Sequence, residues 1–145
     1  MIPEKYAGTS VPDNAFGERV RARLDSEEVI WLTTVGADGT PQPNPVWFLW
    51  QDDGFLIYNR ESAKRLAHIA VRPEVSLSFD SNGGHDVVVF TGRARRLDNQ
   101  PMPHELPPYL EKYGDAMVYI GGSHEKFGHL QPIAIRVDVR RLRGF

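Results

Sequence analysis

The sequence predicts a mainly β fold, a small six-stranded antiparallel barrel with short flanking helices. Three observations predict it. Six short runs rich in β-branched and aromatic residues recur along the 145 residues. Tight-turn signals, GADGT at 36–40, DDG at 52–54 and SNGG at 81–84, join several of these runs directly, as antiparallel strands allow. Helical periodicity is confined to short stretches, and hairpins rather than helices link the first three strands, which argues against a parallel nucleotide-binding sheet.

Residues 1–12 are polar and contain Pro3 and Pro12, so they are expected to form a loose arm, with one domain over 13–145. Asp13 is the expected cap of a first helix, whose stripe is Phe16, Val20 and Leu24 at i, i+4 and i+8. VIWLTTV (29–35) is the first strand, and PVWFLWQ (45–51) a second, so apolar that both faces should be covered. FLIYN (55–59) is the third. A short helix over 62–71 ends at Pro73, because proline disfavours helical geometry at the residue before it. EVSLSFD (74–80) alternates as a half-exposed strand. DVVVFTGRARRL (86–97) is a long one in which Gly92 marks a bulge or bend. Residues 98–132 are rich in proline and glycine, with helices expected near 107–113 and 123–129. The last strand alternates most regularly, with Ile133, Ile135, Val137 and Val139 on one face.

Composition excludes several classes. A net charge of −2, with no long block of one sign, disfavours general nucleic-acid or membrane-surface binding. The absence of cysteine removes disulfides, thiolate metal sites and a cysteine nucleophile. No signal-like or membrane-length apolar run occurs, and a cytoplasmic location is expected. No GxGxxG follows a strand and no GxxxxGK[ST] occurs. GGSHE (121–125) has Glu125 where a nucleophile elbow needs glycine. In HEKFGH (124–129) the histidines are five positions apart, about 140° around a helix, so they do not share a metal-binding face. Asp52 and Asp53 precede a glycine and read as turn residues.

The chemistry that remains is cationic and aromatic. Arg60, Lys64 and Arg65 crowd the point where the third strand gives way to the short helix, beside Ser62. First-turn N–H groups, a hydroxyl and two or three cations together suit a phosphate; a solvated helix face is the plainer alternative. NPVWF (44–48) combines a polar Asn44, a Pro45 that interrupts ladder pairing, and rings that suit a barrel core. A planar ring could lie against this backbone, with Val46 and Trp47 offering amides. The DDG hairpin is expected to set NPVW beside IYNR in one sheet. A ring on the first strand and a phosphate on the second describe a flavin-like cofactor.

The stretch LTTVGADGTPQPNPVWFLWQDDGFLIYNRESAKRLAHIAVRPEVSLSFD (32–80) resembles the pyridoxamine 5′-phosphate oxidase-like split-barrel family, and most of all its flavin/deazaflavin oxidoreductase group B branch. The marks are LTTV, DGTPQxxPVWF, a basic residue opening a helix, RPxVSLSF, and a strand ending G-x-A. The resemblance covers 29–97 and, less closely, the last strand; it hardly covers 98–130. It implies a homodimer of six-stranded split barrels with cofactor sites at the subunit interface. Asn44, Pro45, Val46 and Trp47 match the strand backing the ring, Tyr58, Asn59 and Arg60 the neighbouring strand, and Lys64 or Arg65 the phosphate-binding residue. His85 matches a position that in some members reaches the cofactor from the other subunit; a surface turn residue is its plainer reading.

The resemblance further implies an oxidoreductase that transfers a hydride from reduced coenzyme F420, a deazaflavin, to a small organic acceptor. The PQPNPVWF pattern resembles the deazaflavin-using branch, and Arg72 adds a cation for that coenzyme's anionic tail. FMN is the alternative cofactor. A haem-handling barrel and a cofactor-binding protein without turnover are further alternatives. Solvent, Tyr58 and His85 are the candidate proton sources. The arginines of the last two strands, Arg93, Arg95, Arg96, Arg136, Arg140, Arg141 and Arg143, are expected at outward positions, partly paired with acidic neighbours.

Overall fold

In the computed structural model, residues 4–7 and 11–145 are described. In chain order they form β1 (Glu4–Ala7), α1 (Ala15–Ser26), β2 (Ile30–Val35), β3 (Pro41–Val46), β4 (Leu49–Gln51), β5 (Gly54–Asn59), α2 (Lys64–Val71), β6 (Glu74–Ser78), β7 (Val88–Arg96), α3 (Pro107–Gly121), α4 (His124–Leu130) and β8 (Ile133–Gly144). Half of the expected loose arm, 1–3 and 8–10, falls outside the described residues; of the rest, 4–7 form β1, antiparallel to β8. Among the described residues no helix is long and apolar enough to cross a membrane.

The sheet is antiparallel throughout, with seven strands in the order β3-β2-β6-β7-β8-β5-β4 and β1 added on β8. That path is one strand longer than expected, because the apolar run at 45–51 is broken. Val46 ends β3 on one edge, Leu49 starts β4 on the other, and only Trp47 and Phe48 lie between. Seven flat strands would put the edges about 29 Å apart at ~4.8 Å per step. Three residue steps reach only about 10 Å. The sheet must therefore curl until its edges nearly meet, a half-barrel split between β3 and β4. The split also overturns the expected adjacency of NPVW and IYNR. The DDG hairpin joins β4 to β5, whereas β3 pairs with β2.

The backbone at the break is not left bare. The Tyr113 hydroxyl accepts the Phe48 N–H at 2.9 Å and donates to the Glu28 carbonyl at 2.7 Å. The Lys112 ammonium donates to the Phe48 carbonyl at 3.1 Å and sits 3.7 Å over the Phe48 ring. Side chains of α3 thus supply what a neighbouring strand supplies elsewhere.

Two apolar clusters explain the burial pattern. Phe48, Phe55, Ile57, Leu77, Phe90, Ile135 and Val137 fill the barrel, closed by Phe16, Val20 and Leu24 of α1. Leu56, Tyr58 and Ala134 face outward and are covered by Tyr109, Tyr113 and Met117 of α3 and Phe127 of α4. Every residue of β5 is therefore buried, because both its faces are packed. The α1 cap is Asn14 rather than Asp13, its side chain accepting the Gly17 N–H at 2.8 Å. The β4–β5 hairpin turns on Asp52 and Asp53, both at positive φ (51° and 57°), a type I′ geometry, so they are turn residues as expected. The β7–β8 register shifts between Thr91 and Gly92, where Arg140 is the extra residue. A Cβ at Gly92 would stand 2.2 Å from the Asp138 carbonyl oxygen, so the close approach demands glycine. Arg93 pairs with Glu74 at 3.1 Å, and Arg95 and Arg136 pair with Asp138 at 2.9 and 2.8 Å.

Candidate functional site

β3 is an edge strand exposed from Pro41 to Pro45. Proline stands at 41, 43 and 45, so ladder donors to β2 come only from Gln42, Asn44 and Val46. A full ladder then requires the prolines to face outward, leaving an outer edge with carbonyls and no N–H. Where β3 approaches α2, a cavity of about 630 Å³ opens. Gly36, Ala37 and Asp38 of the β2–β3 turn line it, with Gln42 and Asn44 of β3, Ala63 just before α2, and Lys64, Arg65 and His68 of α2. A second, smaller cavity of about 210 Å³ lies beyond. Pro45, Val46, Trp47 and Tyr58 line it, with Tyr109, Ile120, Phe127 and Gln131 of the helical segment. Arg65 lines both, and β3 runs past both. The two form a groove with a cationic end and an aromatic end.

Each wall has a local cause. α2 begins at Lys64, two residues later than expected, and no side chain caps it. Its first-turn N–H groups therefore lack the usual capping oxygen beside two cations. Arg65 is half-buried and fixed: its Nε donates to Asn59 Oδ1 at 2.5 Å. Asn59 is fully buried, and its Nδ2 donates to the carbonyls of Ile57 (3.1 Å) and Ile133 (3.0 Å). Its amide is thus committed within the protein, and its role is to aim Arg65. Burial lowers the Arg65 pKa, yet a guanidinium stays charged in proteins. Lys64 is exposed and Arg72 reaches the Ala37 carbonyl at 3.4 Å, on the rim of the polar cavity.

At the other end Trp47 stacks on Tyr113 (centroids 4.5 Å apart, 3° between planes) and on Phe127 at 5.3 Å. It leaves the barrel interior, where Phe48 sits and against which Trp50 packs. Tyr58 is buried, with its hydroxyl donating to the Pro101 carbonyl at 2.5 Å; burial is the main cause of its raised pKa. Its proton is held in place, which weakens it as a proton source.

The structure thus brings Asn44, Pro45, Val46, Trp47, Tyr58, Lys64 and Arg65 to the groove, with Asn59 behind it. Arg60, Ser62 and His85 are exposed and line neither cavity within one chain. Sequence reasoning missed Thr34 and His68, linked at 2.9 Å, and the aromatic wall of Tyr109, Tyr113 and Phe127. A histidine four residues after Lys64 shares its helix face, and that spacing was the available signal for His68. Among the described residues no cluster of three His, Asp or Glu side chains could hold a metal. A larger cavity, about 920 Å³, lies between α1, β4 and α3, with Lys112 on its wall and none of the groove residues.

The comparisons agree with this fold. The family model described as pyridoxamine 5′-phosphate oxidase matches residues 16–144. The conserved hypothetical protein Rv2991 from Mycobacterium tuberculosis superposes with a TM-score of 0.71 at 17% identity, over 97% of this chain and 89% of that one. A structure described as an F420 reductase gives 0.60 at 24% identity, over 83% and 91%. The heme storage protein HutZ from Vibrio cholerae gives 0.57 at 15%, over 85% and 87%. No curated protein sequence matches.

Proposed function

The chain belongs to the pyridoxamine 5′-phosphate oxidase family, and from that premise we propose that it is an oxidoreductase holding a flavin-type cofactor in the β3–α2 groove. The observation that carries this reading is the groove itself. One end offers Lys64, Arg65 and an uncapped helix start; the other offers the Pro45–Trp47 edge against a stack of rings. A phosphate at the first and a planar ring along the second match that order. Arg65, aimed by Asn59, is the principal anion ligand; Lys64 adds charge from the surface. Asn44, Val46 and Trp47 position the ring, and Tyr58 closes the floor.

When bound, such a cofactor supplies the hydride chemistry; the chain's residues bind, orient and exclude water. We favour coenzyme F420 over FMN, on the resemblance of PQPNPVWF to the deazaflavin-using branch and on the added cation of Arg72. The acceptor is a small organic molecule entering at the Ile120–Phe127 side. A homodimer would bring a second copy against the exposed β3 edge and is the arrangement in which His85 reaches the groove.

The test is titration of cofactor-stripped protein with coenzyme F420 and FMN separately, followed by fluorescence. Tight F420 binding with weak FMN binding supports the preferred reading, and the reverse moves the protein to the FMN alternative. Binding of neither overturns the oxidoreductase assignment. A red, haem-loaded protein on purification would replace it with haem handling.

A further inference from the structure

His68 has no role in the proposed phosphate site, yet it is held in the polar cavity by a buried partner. It lies one turn after Lys64 on the same face of α2 and lines the cavity with Lys64, Arg65 and Asn44. Its Nδ1 is 2.9 Å from Thr34 Oγ1. Thr34 is 1% exposed, and among the described residues this imidazole is the hydrogen-bond partner of its hydroxyl. A buried hydroxyl keeps its proton on an acceptor. Taking Nδ1 as that acceptor places the ring proton on Nε2, the tautomer assigned below. Nε2 lies on the side of the β2–β3 turn, 3.5 Å from where a methyl group on Gly36 would stand, and both His68 and Gly36 line the cavity.

We propose that His68 is an anion-binding residue of the groove, its Nε2–H donating to the cofactor's phosphate, and that Thr34 is the positioning residue that fixes this tautomer. The inference rests on the flavin-type reading and deepens it, assigning a phosphate contact to a side chain on the second turn of α2. It explains why a threonine is buried in β2 opposite Gln42: its hydroxyl is used on α2. One carboxylate shares the space, that of Asp38, and it is bound to the Thr40 N–H at 2.9 Å. Against it stand two cations, Lys64 and Arg65, so the cavity retains an excess of positive charge.

The test uses ligand pairs that share a ring: FMN with riboflavin, which differ in the phosphate alone, and coenzyme F420 with its chromophore, which lacks the phosphate and the anionic tail together. The wild-type protein should bind the phosphorylated member far more tightly. His68→Leu should lose about ten-fold of that preference while leaving affinity for the phosphate-free member unchanged. His68→Gln, which keeps a donor, should retain more of the preference than leucine does. In Thr34→Val the ¹⁵N imidazole shifts should move from the Nε2–H tautomer to a mixture, with a several-fold smaller preference. An unaltered preference in His68→Leu overturns this inference and leaves the cofactor reading standing. No preference in the wild type overturns both. An Nδ1–H tautomer in the wild type refutes the role given to Thr34.

Discussion

Replacing Asn59 by leucine should separate the two tasks that meet at Arg65. The change keeps shape and removes three hydrogen bonds: one from the Arg65 guanidinium and two to the carbonyls of Ile57 and Ile133. The charge-assisted bond is worth about 1.5–3 kcal/mol and each neutral one about 1 kcal/mol. Asn59→Leu should therefore cost roughly 3–5 kcal/mol, and lower the melting temperature by about 10 °C or more for a chain this size. Arg65→Met removes only one of those bonds and also relieves the burial of a charge, so it should cost about 1–2 kcal/mol. The order inverts for ligand. Arg65→Met deletes the proposed anion contact and should weaken phosphorylated-cofactor binding by 10- to 100-fold or so. Asn59→Leu leaves the guanidinium present but unaimed, and should lose less. Urea unfolding and fluorescence titration on both variants supply the four numbers. A less stable Arg65→Met than Asn59→Leu would show that the arginine holds the asparagine, and would refute the reasoning.

Three further outcomes follow from the fold. Gly92→Ala drives a methyl group into the Asp138 carbonyl at the β7–β8 register shift, and should destabilise by roughly 2–4 kcal/mol in thermal unfolding. Tyr113→Phe strips the Phe48 N–H of its partner at the β3–β4 break and should cost about 1–3 kcal/mol, with the core rings still packed. Lys112 has its pKa lowered by burial to about 8 from 10.5, so the folded state releases a proton that the unfolded state retains. The penalty for burying its charge is complete below pH 8 and is lifted as pH rises towards 10.5. Stability should thus rise by roughly 1–2 kcal/mol across that window after allowance for partial exposure. It should turn down above pH 10, where burial keeps Tyr109 and Tyr113 protonated in the fold. In Lys112→Met the rise should vanish from a series of urea titrations at stepped pH.

What could be read from the sequence was set locally. The Phe16, Val20 and Leu24 stripe, the Asp52–Asp53 turn and the alternation of Ile133 to Val139 each carry their signal within a few residues, and each is present. The break at Trp47–Phe48 does not. Its apolar run is unbroken, and the interruption is tolerated only because Tyr113 and Lys112, over sixty residues away, take over the backbone bonds. The site divides the same way. Lys64 and Arg65 were visible as a cluster of charge beside a helix start. Which of them is fixed depends on Asn59, and Asn59 becomes an anchor only because β8 lies against β5. The bond between Thr34 and His68 spans 34 residues, so the pairing was invisible even though the spacing of His68 from Lys64 was not.

The alternating prolines of β3 have a consequence beyond the groove. An unpaired, solvent-facing strand is where proteins stick to one another, since its free amides template a stranger's backbone. Pro41, Pro43 and Pro45 take away every such amide along five residues while leaving the chain extended. The molecule can leave this sheet edge open to a ligand or to one specific partner without inviting aggregation. Restoring those amides by substituting alanine at all three positions would leave the interior untouched, and the protein would be expected to lose solubility before it lost its fold.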